Sequence, residues 1–161
     1  LMIKRRLLCC LLVCLLAGTA VAGCGTTTVD EREGCDPCLA GEQVSEALNY
    51  FALTHGDKEI IKYACADLDG DAREDLVVIY RESKKKNSML VVLVKEGEFQ
   101  RTNEVPAPVS NQVITFKDID DKPPLEFIVQ GMKGSNIGYA IYRVEGNILE
   151  DLFGEGMEDC C

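Results

Sequence analysis

Residues 67–78 read Asp67-Leu68-Asp69-Gly70-Asp71-Ala72-Arg73-Glu74-Asp75-Leu76-Val77-Val78. Residues 118–129 answer them with Asp118-Ile119-Asp120-Asp121-Lys122-Pro123-Pro124-Leu125-Glu126-Phe127-Ile128-Val129. In both, an acidic, turn-forming stretch runs straight into an apolar run, the pattern of a loop entering a buried strand. The two stretches are 51 positions apart, and the same shift lays 88–94 on 139–145. A glycine turn follows each within two residues, Glu96-Gly97-Glu98 and Glu145-Gly146-Asn147, as a hairpin needs. Each copy thus predicts an acidic loop, a buried strand, a second loop and a hairpin.

Outward from the repeat, period-two runs predict strands at 59–66, 75–81, 88–95, 112–117, 126–130 and 138–144, with weaker ones at 98–102 and 147–152. Pro106 and Pro108 interrupt the chain between the copies. Ahead of the first copy, Val44, Ala47, Leu48 and Phe51 stand at i, i+3, i+4 and i+7, with Glu42, Ser45, Glu46 and Asn49 opposite and Gly56 as a stop. This spacing predicts one amphipathic helix over 41–54. The expected fold class is α+β, mostly antiparallel β, with two blade-like repeats of about 50 residues and one N-terminal helix. The domain is expected over 41–153, followed by a mobile tail over 154–161.

The 161 residues are 47% apolar, enough for one core. They carry 17 basic and 27 acidic side chains, a net charge of −10. No acidic residue precedes position 24, whereas Lys4, Arg5 and Arg6 do. Such a field repels phosphate backbones and excludes nucleic acid as a partner. The single histidine, His55, excludes a His-rich metal site and any relay built on two imidazoles. No Ser-His pair, phosphate loop or basic cleft stands out, so an enzyme is not expected, although thiol–disulfide exchange stays open.

Lys4-Arg5-Arg6 followed by the apolar run Leu7–Leu16 has the plan of an export signal over 1–23, too short for a membrane span of about 20 residues. Val21-Ala22-Gly23-Cys24 resembles the lipobox of bacterial lipoproteins. That resemblance implies acylation of Cys24, which anchors the chain on the extracytoplasmic face of the cell membrane. Residues 24–40 then form a flexible tether containing Cys35-Asp36-Pro37-Cys38. In that C-x-x-C pair Asp36 suits a helix cap and Pro37 a first helical position, which would lower the Cys38 pKa. Structural disulfide and reactive dithiol both fit. Cys65 is expected to act as a small buried hydrophobe in the strand before the acidic loop.

Asp67, Asp69, Asp71 and Asp75 occupy loop positions 1, 3, 5 and 9, and such carboxylates can converge on a calcium ion. Position 12 is Val78, so the loop is no EF-hand. It resembles the calcium loop of FG-GAP and VCBS repeats, the blade unit of integrin-like propellers. Ala72 departs from the glycine that the pattern favours, and in the second copy Lys122 and Pro123-Pro124 replace the ligand pattern, so that loop should bind nothing. Two blades cannot close a propeller.

Cys160-Cys161 is the sharpest signal. Paired thiolates select soft ions over calcium or magnesium. Glu158 and Asp159 beside them raise the thiol pKa, which favours metal capture, where the metal displaces the proton, over fast redox turnover. A bridge from this pair to Cys35 or Cys38 is the alternative. Taken together, the lipobox, the acidic-loop domain and Cys160-Cys161 resemble the Cys-Cys-COOH (seleno)proteins of the SaoC family. The resemblance implies that Cys160 and Cys161 bind mercury or an organomercurial as cargo, with thiol or selenoprotein partners and a transporter. Two rival expectations remain: a calcium-stiffened interaction module with structural disulfides, and a thiol reductant in which Cys35 and Cys38 exchange with Cys160 and Cys161.

Overall fold

A computed structural model describes residues 41–56 and 58–161. The signal, Cys24 and the tether with Cys35 and Cys38 lie outside the described residues. Helix α1 (Gly41–His55) forms as its spacing predicts and ends at Gly56, whose φ of 62° is one that glycine adopts without strain. Strands β1 (Ile60–Ala66), β2 (Asp75–Ser83), β3 (Lys86–Lys95) and β4 (Glu98–Arg101) follow as an antiparallel meander. The short β5 (Val105–Ala107) returns to the same edge of β3, pairing Asn87 with Ala107 and Met89 with Val105. A second meander is built from β6 (Ser110–Lys117), β7 (Glu126–Lys133), β8 (Asn136–Glu145) and β9 (Ile148–Glu155). A single helical turn, α2 (Met157–Cys160), comes after it.

The fold is therefore mostly antiparallel β with an N-terminal helix, in two sheets of five and four strands. The repeat comprises four strands, one more than the sequence pattern displays, because β1 and β6 precede the acidic loops. The shift is 51 through the loops and the first inner strands: Ala66 pairs with Asp75, and Lys117 with Glu126. In the second inner strands it falls by one position, since Leu76 pairs with Val92 where Phe127 pairs with Tyr142. The extra residue is Glu82, in the bulge between Arg81 and Ser83.

That offset decides how the sheets stack. Val77, Ile79, Met89, Val91 and Leu93 of the first sheet bury themselves against Phe127, Val129, Ala140, Tyr142 and Val144 of the second. The opposite face of the first sheet, with Leu76, Val78, Leu90 and Val92, is covered by Ala47 and Phe51 of α1. Through the repeat, Leu76 answers to Phe127, Val78 to Val129, Leu90 to Ala140 and Val92 to Tyr142. The face that takes the helix in one copy thus takes the neighbouring sheet in the other, so the two blades stack in the same sense. The remaining face of the second sheet meets solvent, and there Gln130 and Arg143 stand where the first copy has buried Ile79 and Leu93. A polar outer face on the last repeat ends such a stack.

One carboxylate per copy fastens loop to sheet. Asp75, fully buried, accepts the Leu68 N–H at Oδ2 and the Val94 N–H at Oδ1, both at 2.9 Å. Glu126, also fully buried, accepts the Ile119 N–H at Oε2 over 2.9 Å, and its Oε1 takes Arg143 Nε at 2.8 Å. The two backbone bonds only partly offset burial at Asp75, and its pKa rises from 3.8 to about 6. A carboxyl whose folded pKa lies above its unfolded value favours the fold while protonated. That contribution is complete below about pH 4 and disappears as pH rises through 6. The unfolding free energy measured with urea should accordingly fall between pH 4 and pH 6, by about 1.4 kcal/mol per pH unit at most. Asp75→Asn should flatten this slope, and an unchanged slope in that variant would show that the charge of Asp75 is not its source.

Candidate functional site

The sulfur pair sits on a seat prepared by two glycines. Gly131 and Gly138 face each other across β7 and β8, and a Cβ on either would collide with what covers it. At Gly131 it would stand 2.3 Å from Pro108 Cβ, and at Gly138 it would stand 2.5 Å from the Gly156 carbonyl oxygen and 2.8 Å from Cys160 Sγ. Gly156, at φ 67°, turns the chain off β9 so that α2 folds back over this trough. The Val109 N–H then donates to the Cys160 carbonyl at 3.1 Å, and Lys133 Nζ donates to the Cys161 main-chain oxygen at 2.8 Å. Cys160 is wholly buried and Cys161 half-buried.

The segment 154–161, expected as a tail, takes regular structure. Residues 148–155 extend the sheet as β9, and 157–160 are helical and docked, because the glycine trough leaves room for them. Both thiols are free, so neither bridges to another cysteine. Cys65 also departs from its expectation: it is buried as foreseen but is disulfide-bonded, and neither Cys160 nor Cys161 is its partner.

At the end of α2 the Sγ atoms of Cys160 and of Cys161, which caps the helix, lie 3.3 Å apart. Met157 Sδ is 3.6 Å from the first and 4.0 Å from the second. Positions i, i+3 and i+4 share one helical face, and here that face is three sulfurs. Met157 is the member that sequence reading overlooked, although its spacing to the cysteines was visible. Burial, reinforced by the Cys160 thiol beside it, pushes the Cys161 thiol far above its usual pKa, with Lys133 acting weakly the other way. Such a thiol is a slow nucleophile toward disulfides, whereas a soft metal takes it by displacing the proton.

The acidic loops are organised differently from the calcium expectation. Asp67, Asp69 and Asp71 bring carboxylate oxygens within 4.8 Å of one another, but Asp75 does not join them, being committed to Leu68 and Val94. Asp67 accepts the N–H groups of Gly70, Asp71 and Ala72 at 2.8–3.2 Å. The Lys95 ammonium is bonded to Asp69 and lies 3.5 Å from Asp71, so a cation already stands among these carboxylates. Three carboxylates remain to meet a calcium ion, which takes six to eight oxygens, and Lys95 would have to be displaced for it to enter. In the second loop Asp118, Asp120 and Glu126 also gather, and there Arg143 supplies the cation, with Nη2 2.7 Å from Asp120. Arg143 holds the Asp120 and Glu126 carboxyls below the usual range. Neither Lys95 nor Arg143 is marked by the loop motif, because both come from the facing hairpin strand.

Comparison of the chain with family models, curated proteins and solved structures finds no match.

Two measurements check these arrangements. Gly138→Ala should lift α2 from its trough, cost about 1–3 kcal/mol as overpacking does, and speed the reaction of Cys160 and Cys161 with a chromogenic disulfide. Unaltered thiol kinetics in that variant would mean that α2 is not seated there. For the loop, Lys95→Met should lower stability by up to about 1 kcal/mol, and millimolar calcium should restore it, while the unaltered chain should show little thermal shift with calcium. A shift of several degrees in the unaltered chain would mean that calcium displaces Lys95.

Proposed function

We propose that this chain captures a soft, thiophilic metal on Cys160 and Cys161 and passes it to another thiol or selenol by ligand exchange. The observation that carries this reading is the pair of free thiols held 3.3 Å apart on one half-buried turn. The raised pKa of Cys161 favours displacement of its proton by a metal over disulfide exchange. This weighs against the reductant alternative, as Lys95 weighs against a calcium-stiffened module. The cargo that the SaoC resemblance implies is mercury, and the geometry favours its organic form. A mercury ion bound to two opposed thiolates needs its sulfurs two bond lengths apart, and with metal–sulfur bonds of about 2.3 Å that exceeds the separation here. An organomercurial already carries one carbon bond and needs a single opposed thiolate, leaving the second sulfur as the incoming ligand for handover. Anchorage through Cys24 at the extracytoplasmic membrane face would place the domain beside thiol or selenoprotein partners and a transporter.

Titration of the full chain with methylmercury, followed by intact mass, tests the reading. Cys160→Ala/Cys161→Ala should lose one equivalent of tightly held methylmercury and keep its melting temperature within a few degrees. Retention of the same stoichiometry and affinity by that double variant would remove the pair from the function.

A further inference from the structure

Resting on the dithiol reading, we infer that Met157 completes a three-sulfur centre with Cys160 and Cys161, whose preferred metal is the monovalent cuprous ion. The three sulfur–sulfur separations, 3.3, 3.6 and 4.0 Å, make a nearly equilateral triangle. The point equidistant from its corners lies about 2.1 Å from each sulfur, close to the ~2.3 Å of a metal–thiolate bond. A trigonal metal therefore enters with sub-ångström adjustment, whereas a linear one must pull the pair apart.

The donors choose the metal. Two thiolates and a thioether are soft ligands of the kind that select Cu(I), and a thioether adds little for hard cations. No imidazole or Asp/Glu carboxylate joins the Cys160 and Cys161 sulfurs to complete a tetrahedron for Zn(II): among the described residues, the groups of three or more His, Cys, Asp or Glu ligands are the two acidic clusters of the loops. The charge also closes. As Cu⁺ enters, the Cys160 and Cys161 S–H bonds release two protons to solvent, copper stays cuprous, and the centre carries one net negative charge. Lys133, whose ammonium is fixed on the Cys161 main-chain oxygen and acts on the Cys161 thiol, lies beside that charge. Entry is from the side of Met157 and Cys161, which are half-buried, while Cys160 forms the floor.

The full chain is loaded under nitrogen with one equivalent of Cu(I) from a chromophoric chelator, without thiol reductant, so that the Cys65 disulfide stays closed. X-ray absorption at the copper edge should report three sulfurs. Competition with the chelator should show Met157→Leu binding Cu(I) about ten- to a hundredfold more weakly, as loss of a metal-supporting group typically does. Its methylmercury stoichiometry should be unchanged, since that ion uses one thiolate. Two sulfurs at copper in the unaltered chain, or parental Cu(I) affinity in a folded Met157→Leu, would overturn the three-sulfur centre and leave the dithiol reading standing. Undiminished Cu(I) and methylmercury binding by Cys160→Ala/Cys161→Ala would overturn both.

Discussion

The buried carboxylate at the start of each blade's first inner strand holds the rest in place. Asp75 joins three separate pieces of chain: the acidic loop through Leu68, its own strand, and the end of the hairpin through Val94. It carries an electrostatic cost, since both oxygens leave water, and two backbone N–H groups that would otherwise be unsatisfied repay part of it. Glu126 repeats the loop bond to Ile119 but finds Arg143 instead of a backbone donor. The same mechanical task is thus met by a backbone clamp in the covered blade and by an ion pair in the blade that faces water. Replacing Leu93 by Arg143 would be ruinous in the first copy, where that side of the strand is core. In the second it supplies the counter-charge for Glu126 and Asp120.

From this follows the two-blade limit. Same-sense stacking can continue without end unless each end is closed. One end is closed by α1, whose Ala47 and Phe51 lie where another sheet would pack. The other is closed by Gln130 and Arg143 at formerly apolar positions, although Tyr139 and Phe153 still touch there at a ring separation of 5.9 Å. The acidic loops fit the same logic. In each acidic loop a cation from the facing hairpin strand, Lys95 or Arg143, stands among the carboxylates.

The elements that were legible in the sequence are those governed by local periodicity. Helix 41–54 and the eight principal strands follow from alternation and from Gly97 and Gly146 in the turns, and the repeat follows from the acidic loops. What was illegible depends on neighbours distant in sequence. Strand β5 contains Pro106, which is tolerated because it lies on an edge, and no three-residue run announces such a pairing. The cations Lys95 and Arg143 reach the loops only once the hairpins have closed. The docking of α2 depends on Gly138, and the approach of Pro108 on Gly131; both read as weak points in a strand pattern until what covers them is seen. The four carboxylates of loop one were read as a set, yet burial separates Asp75 from the other three.

A seated dithiol behaves differently from a mobile one. A tail free in solvent could offer either sulfur to any partner, and its affinity for metal would be reduced by the entropy of ordering two side chains. Here that ordering is already provided by Gly156, the Val109–Cys160 bond and the packing over Gly138. Preorganisation favours capture, and it makes the two sulfurs unequal. Cys160 is enclosed and Cys161 half-exposed, so under the proposed function an incoming thiolate would reach a bound metal from the Cys161 side and replace that ligand first. Release would then need the single turn of α2 to rise from its trough, a motion opposed by the Val109–Cys160 backbone bond, the Lys133 contact and the packing of Met157. Under the proposed function, a site of this build would hold a metal against water and yield it to a competing sulfur, one ligand at a time.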